Sequence, residues 1–139
     1  MFRERGHTLI ELLIVVIILS VLAALAIPRY MYTTAVSQQR EAMGILKQIY
    51  TLQRSYRQEH NVYFAPGAGV VASAANPNAF SALGLELMPS ARYSYTLDTA
   101  GMGFIARATS SNLDDDATLD VWHIDDQGNL VAESNDARN

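Results

Sequence analysis

Leu12 to Ile27 reads LLIVVIILSVLAALAI. The stretch holds no charged side chain and a single hydroxyl, Ser20. As an α-helix it is about 24 Å long, slightly under a bilayer core of about 30 Å. Leu9 and Ile10 bring it to spanning length, but only by including Glu11. Arg3 and Arg5 precede it, so the positive-inside rule places the N-terminus in the cytoplasm and everything after Pro28 outside. Three readings compete on these features. A cleaved secretory signal peptide has a cleavage site in Ala24-Leu25-Ala26, but it leaves Pro28 as the second mature residue and Glu11 interrupting the apolar region. A plain membrane anchor leaves Glu11 unexplained, because an acid at the edge of a spanning run is costly and tends to have a task. The third reading gives Glu11 that task.

The rest of the composition narrows the classes. A chain of 139 residues is one ordinary domain. With 50% hydrophobic and 17% charged residues, too much of it wants burial for a disordered tail. A net charge of −4 argues against a general electrostatic nucleic-acid binder. The absence of cysteine removes disulfides, thiolate metal sites and a cysteine nucleophile. Charge is unevenly placed. Through His60, seven basic residues face four acids; from Asn112 onward, eight acids face Arg138 alone. A basic, apolar front and an acidic back suit an oriented molecule with one end at a membrane.

Gly6-His7-Thr8-Leu9-Ile10-Glu11-Leu12, followed by the apolar run and Pro28, resembles the N-terminus of the type IV pilin and pseudopilin family. The resemblance implies a short basic leader, Met1 to Gly6, removed by prepilin peptidase on the cytoplasmic side. The new N-terminal residue, His7, is then N-methylated. Glu11 lies at the family's glutamate offset, Thr8-Leu9-Ile10-Glu11 matches the usual T-L-I-E, and Pro28 matches a helix-kinking proline. His7 stands where phenylalanine is usual. The detailed match covers about the first 30 residues, and a helix followed by a small sheet extends it more loosely to the end.

Arg29 to His60 contains no proline, and Ala42, Ile45, Ile49, Leu52 and Tyr56 recur at steps of three and four, one face of a helix. Pro28 lacks an N–H and crowds the carbonyl four residues back, so a bend is expected there. His60-Asn61 is a plausible helix end. Residues 61–90 read as a connection rich in small residues, with Asn78 capping a short turn that carries Phe80 and Leu83 and stops at Gly84. Four strands follow: Tyr93, Tyr95 and Leu97 alternating with polar residues; Phe104 to Thr109; Thr118 to Ile124, with Leu119, Val121 and His123 alternating against Asp120, Trp122 and Ile124; and Leu130 to Ala132 after the Asp126-Gln127-Gly128-Asn129 turn. So small a sheet needs the apolar helix face as cover.

No catalytic or nucleotide-binding motif occurs, and no enzyme activity is expected. His7, His60 and His123 each have a structural account as a terminus, a helix end and a strand residue. No cofactor is expected. The acidic run from Asn112 to Asp120 gives the one candidate metal position, with Asp114, Asp115 and Asp116 as calcium ligands, although their spacing is not that of an EF-hand and such runs are usually solvated loops.

The expected fold is α+β: a long N-terminal helix packed on a small antiparallel sheet. Residues 1–6 are the leader, 7–28 the transmembrane and assembly helix, and 29–139 the globular domain, with an amphipathic helix over 29–60, a connecting loop over 61–90 and the sheet over 91–133. The resemblance implies a structural subunit held in a bacterial inner membrane, N-terminus inward, in contact with lipid and an assembly platform. It then polymerises, alone or with other pilins, into a surface pilus or a periplasmic pseudopilus. Glu11 is the expected assembly residue. The first 30 residues do not separate a type IV pilus subunit from a type II secretion pseudopilin, and a monomeric membrane-anchored binding domain is the more distant alternative. If the resemblance holds, intact mass and N-terminal sequencing will show loss of Met1 to Gly6, a start at His7 and one added methyl; a start at Ile27 will instead support the signal peptide.

Overall fold

The computed structural model describes residues 8–110, 113 and 118–135. It divides into two compact units, Met1–Thr34 and Ala35–Asn139. After Thr8, helix α1 (Leu9–His60) supplies the described part of the first unit and the opening of the second. In the second unit it is followed by β1 (Val71–Ala72), a 3-10 turn (Ser81–Leu83), β2 (Tyr93–Ala100), β3 (Gly103–Ser110), β4 (Asp120–Asp125) and β5 (Leu130–Ser134). The strands form one antiparallel sheet in the order β1-β2-β3-β4-β5, so sequence neighbours are always spatial neighbours. The α+β architecture is as expected. The fifth strand is not: β1 lies in the stretch read as a connection, where two residues, Val71 and Ala72, pair with Thr96 and Tyr95. A two-residue strand is too short to leave an alternation in the sequence.

The core joins Ala42, Leu46 and Ile49 of α1 to Tyr93, Tyr95 and Leu97 of β2, Phe104, Ala106 and Ala108 of β3, and Ile124 of β4. Ala106 and Ala108 put little bulk on the middle strand, leaving room for the larger helix side chains. The helix stripe is rotated from the one read in the sequence. Ala35, Gln39, Ala42, Leu46, Ile49 and Gln53 are buried, whereas Ile45, Leu52 and Tyr56 pack at the margin. The shift has a polar cause. Gln53 is fully buried because its amide pairs with the main chain of Phe64, donating from Nε2 to the carbonyl (2.8 Å) and accepting from the N–H at Oε1 (2.9 Å). This clamps the segment after the helix back against it.

Gln39 is buried for a similar reason, and it exposes a second correction. On β4 the inward residues are Asp120, Trp122 and Ile124, while Leu119 lies outside the strand and is half exposed. Asp120 is fully buried. Its Oδ1 accepts from Gln39 Nε2 (2.9 Å); its Oδ2 accepts from Trp122 Nε1 (2.7 Å) and from the Tyr93 hydroxyl. Helix, β2 and β4 thus each send a donor to one carboxylate, which offsets its desolvation. Gln39 Nε2 also donates to Asn135 Oδ1 (3.0 Å).

Turns follow their residues with one exception. Asn78 does not cap through its side chain; its main-chain carbonyl accepts from Ser81 N–H (3.0 Å), and Gly84 at φ 82° ends the 3-10 turn as expected. Between β4 and β5, Asp125 Oδ1 accepts from the N–H of Gln127 (3.0 Å) and of Asn129 (2.9 Å), and Oδ2 from Asn129 Nδ2 (2.9 Å). Gly128 has φ 83°, which favours glycine, and a Cβ there would sit 3.2 Å from the Tyr50 ring, a tight contact that the ring would have to yield to.

Truncating the core and removing its buried acid test this arrangement. Leu46→Ala is expected to destabilise the full chain in detergent by about 2–5 kcal/mol. Asp120→Asn should cost at least about 1 kcal/mol, because its amide presents N–H groups where only an acceptor fits. Far-UV circular dichroism during denaturant unfolding reads both, and an Asp120→Asn protein as stable as the parent contradicts the role given to Asp120.

Two groups give the second unit a pH-dependent contribution to stability. Hydrogen bonds from the Asn129 side chain and main chain hold the Asp125 carboxyl below its ordinary value. Its contribution is therefore present above the unfolded carboxylate value of about 4 and disappears as pH falls through the lower folded value. Burial, and secondarily the Glu41 charge, push the Tyr95 phenol up, so its neutral form contributes fully below about pH 10 and that contribution is lost as pH rises further. The melting-temperature gap between parent and Asp125→Asn should close on acidification. The parent should lose stability relative to Tyr95→Phe only on alkaline titration.

Candidate functional site

In the first unit the apolar run is helical and uncovered. Every Leu, Ile and Val from Leu9 to Ile27 is at least 47% exposed. The helix is long and apolar enough, by length and composition, to cross a membrane. A continuous surface of this kind exceeds what a soluble monomer ordinarily leaves in water, so it needs lipid or protein around it. Its one hydroxyl is accommodated within the helix: Ser20 Oγ donates to the Val16 carbonyl at 2.7 Å. Helix α1 continues through Pro28. Since proline has no N–H, the Ala24 carbonyl lacks the i+4 donor that its neighbours have.

The start of the helix is built by two residues. Thr8 N–H donates to Glu11 Oε2 (3.4 Å), and Glu11 N–H donates to Thr8 Oγ1 (3.3 Å). The Thr8 carbonyl accepts from Glu11 (3.0 Å) and Leu12 (3.2 Å). This is a capping box: the threonine satisfies a free N–H of the first turn while the glutamate reaches back to the main chain before it. A carboxylate in the first turn also suits the positive end of the helix dipole. Glu11 Oε1 accepts no hydrogen bond among the described residues, so half of the carboxylate stays available. Thr8 is a site residue that the motif match alone does not single out, and its signal in the sequence is a threonine three residues before a glutamate at the head of an apolar run.

Gly6 and His7, read as the cleavage and methylation positions, lie outside the described residues, as do Asp114, Asp115 and Asp116. Among the described residues no three His, Asp or Glu side chains converge as metal ligands. Asp120, the last acid of that run, points into the core instead of into a loop. His60 Nδ1 lies 3.1 Å from the Tyr56 carbonyl and its ring stacks on Tyr56 at 4.1 Å. His123 Nδ1 lies 2.8 Å from Glu133 Oε1 without hydrogen-bond geometry, an ion-pair contact only when the ring is protonated.

Comparison with known proteins fits this division. The prokaryotic N-terminal methylation motif matches residues 1–27. The type IV major pilin protein PilA of Myxococcus xanthus (strain DK1622) is 47% identical over 75 residues, covering 48% of this chain and 34% of that protein. The type II secretion system core protein G of Pectobacterium carotovorum subsp. carotovorum is 29% identical over 76 residues, covering 55% of this chain and 49% of that protein. The chain thus spans a third to a half of the length of these relatives. No solved structure matches. The chain therefore carries the prokaryotic N-terminal methylation motif at the head of an uncovered apolar helix, and is similar in sequence to a type IV major pilin and to a type II secretion core protein.

Proposed function

We propose that the chain is a structural, non-catalytic subunit of a type IV pilus or pilus-like filament. The observation that carries this reading is the contrast between the two units. Residues 35–139 close a core of their own, while Leu9 to Ile27 remain uncovered. Lipid covers that helix in the inner membrane before assembly, and equivalent helices of neighbouring subunits cover it afterwards. Prepilin peptidase removes residues 1–6, leaving a free or methylated amine on His7. The exchange of lipid for protein gains little from the hydrophobic effect, because both are apolar, so packing and polar contacts must favour the filament. Glu11 supplies such a contact: its carboxylate takes the His7 amine of a neighbour as counter-charge in a low-dielectric core. A type II secretion pseudopilin is the second reading, favoured by the larger share of this chain that aligns with core protein G.

The capping box makes the Glu11 test selective. Glu11→Gln keeps an oxygen for the Thr8 N–H and removes only the charge; Glu11→Val removes both. Breaking one side of a buried ion pair costs about 3–5 kcal/mol, and the loss recurs at every subunit. Both variants are therefore expected to reach the membrane but to form few or no filaments. Immunoblots of sheared filaments beside membrane fractions read the result. Normal filaments from Glu11→Gln, with loss only in Glu11→Val, will reduce Glu11 to a helix cap.

A further inference from the structure

A polar cleft of about 490 Å³ opens on the flank of α1, wholly within residues 35–139. Tyr50, Arg54, Arg57 and Gln58 form one wall, at the spacing i, i+4, i+7, i+8 that gathers residues on one helix face. Tyr63 and the turn residues Asp126 and Gln127 form the others. Each wall is held by contacts already described. The Gln53–Phe64 pairing fixes the chain beside Tyr63, the Asp125 hydrogen bonds fix the turn, and Gly128 brings that turn against Tyr50. The cleft is preformed, and its volume lies in the range of small-molecule sites, about 300–1,000 Å³.

Its chemistry is specific. Arg57 lies over the Tyr63 ring (4.7 Å to the centroid) and donates from Nη1 to the Tyr63 hydroxyl (2.8 Å). Arg54 is related to Tyr50 in the same way, at 5.7 Å and 3.0 Å. Among the described residues neither guanidinium has a carboxylate within ion-pair distance. Two like charges three residues apart on one helix face repel, and among the described residues only Asp126 across the cleft offsets them. Each tyrosine orients a planar fork and leaves most of its N–H donors to another acceptor, the arrangement that receives a carboxylate. Asp126 sets the limit. With two arginines and one aspartate, the lining matches a single negative charge, and a phosphate-rich polymer would meet a like charge. The tyrosine rings already carry guanidiniums, so they offer no open platform for stacking bases. Asp126, Gln58 and Gln127 instead supply acceptors and donors suited to hydroxyl groups.

We propose that this cleft binds a carboxylated sugar, a uronic-acid unit of an acidic polysaccharide, with Arg54 and Arg57 on the carboxylate and Asp126 with the two glutamines on the ring hydroxyls. The site is independent of whether the chain polymerises. Isothermal titration of the full chain in detergent with trigalacturonate is expected to show binding, with maltotriose, a neutral sugar of the same length, inert. Arg54→Gln and Arg57→Gln should each weaken binding about tenfold or more. Arg57→Lys, which keeps charge but not the fork, should recover only part of it. Circular dichroism melts of the variants should match the parent, which separates ligand recognition from a merely structural role of the arginines. Absence of binding at millimolar trigalacturonate, equal binding of maltotriose, or tighter binding of an oligothymidylate overturns the proposal. So does salt-sensitive self-association that Arg54→Gln abolishes, which would make a second copy the occupant.

Discussion

One antiparallel sheet has two faces, and in this protein one helix covers one of them. That constraint orders everything in residues 35–139. The covered face takes Tyr93, Tyr95, Leu97, Phe104, Ala106, Ala108 and Ile124. The other is left to solvent and carries a charge network in which Arg107 reaches Asp98 at 3.3 Å and Glu133 at 3.2 Å, with His123 beside Glu133. These pairs are exposed and contribute little energy, but they keep the uncovered face polar. Without the helix stripe centred on Ala42, Leu46 and Ile49 the sheet would have nothing to bury against.

The same constraint explains why the polar residues of the core are where they are. A helix resting on a sheet through apolar contacts alone can slide or rotate with little loss. Asp120 with Gln39, and Gln53 with Phe64, are directional contacts at separated points along α1. The first ties α1 to β4, and the second ties the segment after the helix back against it. The β4–β5 turn belongs to this scheme, since the close approach of Gly128 to Tyr50 sets the turn against the helix flank and in doing so forms one wall of the arginine cleft.

The two units solve opposite problems. In residues 35–139 the chain supplies its own cover. From Leu9 to Ile27 it supplies none, and the few polar groups there are satisfied locally, Ser20 on Val16 and Thr8 with Glu11. Local satisfaction of these side chains lets such a helix exist in lipid or among its own kind, with the Ala24 carbonyl left short of its i+4 donor at Pro28. Glu11 is the exception, with one carboxylate oxygen uncommitted among the described residues, and the proposed role between subunits rests on that oxygen.

Sequence alone determined the features that depend on neighbours along the chain. The uncovered helix is legible because sixteen residues without a charge admit few other readings. The alternation in β2, the turn at Asp126 to Asn129 and the stop at Gly84 are set by local pattern and by residues with special backbone freedom. Tertiary structure decided what depends on partners far away. Asp120 reads as the end of a solvated acidic run, and the apolar stripe of the helix gives Gln39 and Gln53 no place in the core, until Trp122, Tyr93 and the Phe64 main chain are brought to them. The two-residue β1 exists only because the edge of β2 is there to pair with. Hydropathy assigns a polar side chain to solvent. A hydrogen-bond partner 11 or 81 residues away makes its burial favourable, and that partner is not written beside it in the chain.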